Sequence, residues 1–232
     1  MKIKNQIGME RKSKYVSIDK TDNPESKLET ELGRLGEDVQ LTANADNCGG
    51  IGKVDRIAKA LVVISKPHWR LVLWIEFNDL ESIPESVWEL ANLEELGLGN
   101  NKLKTISPEI AKLTKLRRFG IGMNPIDVFP EAVCRLEQLE ELYFHWCRLS
   151  VLPSSFASLR NLLELNLGYN AFKQFPGVIC ELRSLRTLIL FCNKLSSLPR
   201  SFANLRELRE LDVENNRFKE FPEVVCELPN LE

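Results

Sequence analysis

Leucine recurs at Leu93, Leu116, Leu139, Leu162, Leu185, Leu208 and Leu231, every 23 residues without a slip. The first six are followed three, five, eight and ten positions later by an apolar residue, an apolar residue, an asparagine and a further apolar residue, as in Leu93, Leu96, Leu98, Asn101 and Leu103. Cys147 is the one departure, standing where the asparagine of its unit would be. A degenerate earlier unit shares the frame through Leu73, Ile75, Asn78 and Leu80, with Arg70 in place of the first leucine. Seven units are visible, with the start of another at Leu231. Self-similarity at a fixed period of this length is the signature of a stacked repeat architecture.

Apolar residues two apart have the period of a strand with one face inward, so each unit predicts one short strand of a parallel sheet. The asparagine turns the chain inward, its amide serving backbone groups that the turn leaves unpaired and forming a ladder between units. An apolar-proline pair follows (Ile83-Pro84, Phe129-Pro130, Leu152-Pro153), then a helical turn whose proline suits a first helical position and which forms the convex side. A 46-residue double repeat is superimposed: Cys134, Cys180 and Cys226 alternate with Ala111, Ala157 and Ala203. Large and small side chains thus exchange places between adjacent layers, and the cysteines read as core packing.

The pattern L-x-x-L-x-L-x-x-N-x-L-x-x-[LIF]-P-x-x-[VIF]-x-x-L resembles the 23-residue leucine-rich repeats of Scribble, Erbin, Ras suppressor, the plant intracellular Ras-group proteins and many bacterial relatives, over residues 70 to 232. The resemblance implies an α/β solenoid, a curved horseshoe arc with a parallel concave sheet and short helical turns outside. It also implies protein binding through that scaffold, with a small GTPase or a phosphatase as partner by family analogy only.

Residues 1 to 52 carry no period and change from basic to acidic along their length, which predicts a flexible tail. Val54, Ile57, Ala58, Leu61 and Val62 fall at helical spacing, so 53 to 69 is expected to form a capping helix and linker, ended by Pro67, with Trp69 wedged against the first repeat. At the other end Leu231-Glu232 opens a further unit without a polar cap, consistent with a truncated solenoid, one covered by a partner, or self-association through that end.

Composition narrows the function classes. Of 232 residues, 44% are hydrophobic and 28% charged, and the net charge of −2 provides no global field for nucleic acid or anionic lipid. No run reaches the roughly 20 apolar residues of a membrane span, and the start has no apolar core of a secretion signal. Six cysteines without flanking clusters read as free thiols, and the expected location is the cytoplasm.

Chemistry is sparse. Cys48-Gly49-Gly50-Ile51-Gly52-Lys53 approaches a phosphate loop, but Asn47 and Val54 occupy positions where such a loop needs glycine and Ser/Thr. His68 and His145, the two histidines, lie in different segments, so neither a metal site nor a Ser-His-Asp set is expected. Glu94-Glu95 and Glu140-Glu141 lie on a wet strand face, where nothing would divide them into acid and base. The reading is of no enzyme, no catalytic residues, no cofactor and no metal.

With the unit's first leucine as position 1, positions 2, 3, 5, 7 and 8 face the open side of the sheet. Met123, Tyr143, His145, Trp146, Tyr169, Ile189 and Phe191 fall there within three strand spacings, roughly 15 Å, an aromatic patch with the size and chemistry of a binding hot spot. Beside them Gly97, Gly99, Gly120 and Gly122 predict a hollow floored by backbone. Arg117, Arg118, Glu141 and Glu164 belong to a mixed charged rim that would set orientation and association rate. The other reading is that the aromatics only shield the sheet against one another. The leading functional expectation is a non-catalytic scaffold, adaptor or regulator binding a protein on the concave face. The alternatives are the targeting part of a kinase or ubiquitin ligase, or a bacterial effector acting on host proteins.

Overall fold

The computed structural model describes residues 14 to 17, 40 to 44, 50 to 65 and 69 to 232, the first two segments through their backbone alone. Asn47, Cys48, Pro67 and His68, with the expectations attached to them, lie outside the described residues. Nine strands form one parallel sheet in chain order: β1 (Lys14–Ser17), β2 (Gln40–Asn44), β3 (Arg70–Trp74), β4 (Leu93–Gly97), β5 (Arg118–Gly120), β6 (Glu141–Tyr143), β7 (Glu164–Asn166), β8 (Thr187–Ile189) and β9 (Glu210–Asp212). Strands β3 to β9 are the seven repeat units. From β4 onward every neighbouring pair is registered at an offset of 23, as in Leu96↔Phe119↔Leu142↔Leu165↔Leu188↔Leu211. Apart from the half-buried Leu211 beside the last strand edge, these side chains are fully buried.

Seven five-residue 3₁₀ helices, from Glu85–Glu89 to Glu223–Glu227, recur at the same offset on the convex side. The prolines do not take the first helical position expected of them. Pro84, Pro130, Pro153, Pro176, Pro199 and Pro222 immediately precede their helices in extended conformation, and Pro108 alone stands inside. Each preceding proline offers its carbonyl to the third residue on, as in Val87 N–H to Pro84 O at 3.1 Å, and needs no N–H of its own there.

The asparagine ladder forms as expected. Asn124 Nδ2 donates to Leu98 O and Ile121 O, both at 2.9 Å, while its Oδ1 accepts from Leu103 N–H at 2.9 Å. At Cys147 the ladder changes. The thiol reaches Ile121 O and His145 O only at 3.9 and 3.7 Å, and burial pushes its pKa up to about 11. The N–H of Ile126, which an asparagine side chain would otherwise receive, bonds locally to Asn124 O at 2.8 Å around Pro125, whose fixed φ suits so tight a turn.

Two expectations at the N-terminal end are corrected. Lys14–Ser17 and Gln40–Asn44 run as strands within the stretch read as a tail; β2 pairs with β3 and β1 with β2, which supplies the backbone partners that local sequence did not announce. The helix expected to close the sheet is α1 (Ile51–Ile64), which follows β2 and packs on the convex helix Glu85–Glu89. It takes the place of an outer turn, so β2 rather than the helix covers the edge of β3. Val54, Ile57, Ala58 and Leu61 are buried as anticipated, as is Trp69. Asp55 accepts from Ser86 Oγ at 2.8 Å and fixes the helix to the first repeat.

Candidate functional site

The concave face owes its side chains to one backbone feature. At position 8 the chain is left-handed in every unit: Phe77, Asn100, Met123, Trp146, Tyr169, Cys192 and Asn215 have φ between 53° and 61°. The stack uses this geometry: the first six of these N–H groups donate to the position 7 carbonyl of the next unit, as in Trp146 to Gly168 O at 2.9 Å. Asparagine tolerates this conformation well, whereas a bulky residue there costs roughly 1 to 2 kcal/mol. Two units carry asparagine. Five carry Phe, Met, Trp, Tyr or Cys despite the cost.

Those side chains are ordered by ring contact. Trp146 and Tyr169 stack with centroids 3.6 Å apart and planes at 17°, and Phe191 meets Tyr169 edge-on at 4.8 Å and 81°. Trp146 remains 51% exposed and Met123 47%. The ring cluster therefore joins Trp146, Tyr169 and Phe191, with Met123 on the preceding unit. Ile189 stands apart from it in the position 5 row, with Asn166 between it and Tyr143.

The expected hollow is largely filled. Trp74 lies against Gly97 and Glu76 against Gly99, and a methyl on Gly122 would come within 2.5 Å of the His145 ring. Only Gly120 of the four is open. Gly168, which sequence reasoning did not single out, receives Phe191 in the same way at 2.5 Å. Gly97, Gly122 and Gly168 are each a seat for a ring from a neighbouring unit, and the face is smoother than a gap beside a wall.

Toward the start of the strands a polar network takes over. Tyr143 Oη donates to Glu141 Oε2 at 2.6 Å, and Arg118 Nε lies 2.6 Å from the same oxygen while its Nη2 donates to Glu141 Oε1 at 2.8 Å. Burial opposes ionisation of Glu141, but the hydrogen bonds from Arg118 and Tyr143 outweigh it and hold its carboxyl below the usual value. Burial, reinforced by Glu141, pushes the Tyr143 phenol far up. Glu164, beside Glu141 in the register, is shifted upward chiefly by burial. Arg117 pairs with Glu140 at 2.6 Å instead and lies outside this network.

His145 is titratable and uses its ring as packing. Burial lowers its pKa, and among the described residues Nδ1 has no hydrogen-bond partner, so the neutral ring is favoured. The unfolded chain takes up the proton more readily than the folded one, so His145 removes stability as pH falls below its ordinary value of 6.5. Phe191 occupies the equivalent seat over Gly168. His145→Phe is expected to lose less stability than the wild type between about pH 7.5 and pH 5.5, as read by urea unfolding at each pH.

Ordered rings and paired charges on a stacked parallel sheet give this face the form of a repeat scaffold. Models described as leucine-rich repeat match residues 138–195 and 92–113, and with the solved structures that follow they support a leucine-rich-repeat protein. It is similar to a leucine-rich-repeat protein of Leptospira interrogans at 26% identity and TM-score 0.62, covering 84% of this chain and 53% of that one. Against internalin inlF of Listeria monocytogenes the values are 20% and 0.69, with 89% and 55% covered. Against internalin C2 of the same organism they are 24% and 0.70, with 82% and 77% covered. The chain thus spans about half the length of the first two. No curated protein matches it. Leucine-rich-repeat folds commonly mediate protein–protein interaction.

Proposed function

We propose that this chain is a non-catalytic interaction scaffold, a cytoplasmic adaptor or regulator that binds a protein partner on its concave face. Met123, Trp146, Tyr169 and Phe191 form the apolar centre, with Tyr143, His145 and Ile189 beside them and Arg117, Arg118, Glu141 and Glu164 as the oriented polar edge. The observation that carries the reading is the left-handed backbone under exposed Met123 and Trp146 and half-buried Tyr169, where asparagine would fold more easily. Bulky side chains retained against local strain are explained by what they touch. Buried thiols at Cys134, Cys147 and Cys180, each raised in pKa by burial, support a reducing compartment.

The test uses asparagine, because asparagine already fills position 8 in two units. Trp146→Asn/Tyr169→Asn is expected to melt no lower than the wild type, yet to weaken the complex captured from a lysate of the source organism by at least about 30-fold, the loss of a hot spot of about 2 kcal/mol. Retention of the same partners at the same affinity would overturn the assignment.

A further inference from the structure

Beyond the asparagine position, positions 10 and 12 lie on either side of an inward-facing position 11. Lys104, Arg148, Lys173, Lys194, Arg217 and Lys219 occupy these places, and all six are exposed. From the second unit to the seventh, Asp127 is the one acidic residue among them. Backbone bonds stack this flank from unit to unit: Arg148 N–H donates to Ile126 O at 2.8 Å, Lys194 N–H to Phe172 O at 2.9 Å and Arg217 N–H to Leu195 O at 2.7 Å. Lys102 is neutralised by Asp79 at 2.9 Å, but among the described residues the six have no carboxylate partner.

The opposite side of the ring strip is mixed, with Arg117, Arg186 and Arg209 among Glu94 and Glu140 in the position 2 row. Glu95, Glu141, Glu164 and Glu210 share the position 3 row, relieved by Arg118. The face is therefore basic beyond the rings, while before them it is mixed with a carboxylate-rich position 3 row, in a chain whose net charge is only −2. A phosphate backbone spreading across the strip would meet Glu141 and Glu164. A protein segment with carboxylates along one edge and apolar side chains along the other meets complementary surface on both.

We infer that the flank of Lys104, Arg148, Lys173, Lys194, Arg217 and Lys219 binds a run of Asp and Glu residues in a protein partner, alongside the rings; the inference rests on reading the ring strip as the partner site. The parallel stacking of the flank suits an extended acidic segment running across the units, at about 5 Å per unit.

Fluorescence anisotropy tests it with a fluorescein-labelled glutamate peptide of about twelve residues and a thymidine oligonucleotide of similar charge, at about 50 and 200 mM salt. Arg148→Glu/Lys173→Glu/Lys194→Glu/Arg217→Glu is compared with Arg135→Glu/Arg160→Glu/Arg183→Glu/Arg206→Glu, an equal charge change at exposed positions away from the flank. Circular dichroism confirms that both variants fold. Peptide affinity is expected to fall at least about tenfold with the flank variant, less than about threefold with the control, and to weaken with salt. No peptide binding, equal losses in the two variants, or tighter binding of the oligonucleotide would each overturn the inference. The glutamate peptide has no apolar side chain for the rings, so a failure of the ring assignment is read separately, by partner capture with Trp146→Asn/Tyr169→Asn.

Discussion

Asn170→Ala is expected to cost about 3 kcal/mol of folding stability, lowering the melting temperature by about 6 to 12 °C, whereas Cys147→Ala one unit earlier costs less than about 1.5 kcal/mol. The two residues occupy the same place in successive units. Asn170 Nδ2 donates to Phe144 O at 2.7 Å and Leu167 O at 3.0 Å, and its Oδ1 accepts from Leu149 N–H at 2.9 Å. Alanine leaves these groups buried without water or partner, and the penalty for an unmade buried hydrogen bond exceeds the net gain from a made one. At Cys147 the neighbouring backbone is already rewired around Pro125, and the thiol makes only long contacts. Thermal and urea unfolding of both variants measures the difference; equal loss in the two would show that the side-chain ladder does not stabilise the stack.

The same pair of residues shows what was legible in the sequence. An asparagine every 23 residues places both the turn and its hydrogen bonds, because one amide at one depth has few backbone groups to reach. The sheet register follows from the same spacing. The strands at Lys14–Ser17 and Gln40–Asn44 carry no repeat signature and were hidden for that reason. In the site, outward positions follow from strand alternation, so the rings and rim are readable by position. Which of them touch is not, since that depends on rotamers. Phe191 reaches back over Gly168 to Tyr169, while Ile189, only two residues earlier, lies in another row. Two signals for the missed features were present. Asn100 and Asn215 at position 8 mark a left-handed site, and a glycine one unit before a ring at position 7, as in Gly122 and His145 or Gly168 and Phe191, marks a seat.

Phe144→Ala is expected to have a larger effect still, about 4 kcal/mol, and to couple the core to the concave face. Phe144 is fully buried at position 6, where other units hold Leu, Ile or Val, and its ring meets Phe119 edge-on at 6.0 Å and Phe129 at 5.0 Å. Phe129 in turn contacts Phe156 at 5.2 Å, so the cluster spans the third and fourth units. Truncation opens a cavity that Phe119 and Phe129 are too rigid to close, whereas Phe144→Leu restores a side chain used elsewhere and is expected to cost about 1 to 2 kcal/mol. Tyr143 and His145 flank Phe144 on the opposite face, so any backbone shift into the cavity moves both. The Ala variant should therefore lose Tyr143 and Trp146 near-ultraviolet dichroism below its melting temperature, while the Leu variant keeps it. If both variants melt alike with dichroism intact, the aromatic interior does not support the face above it.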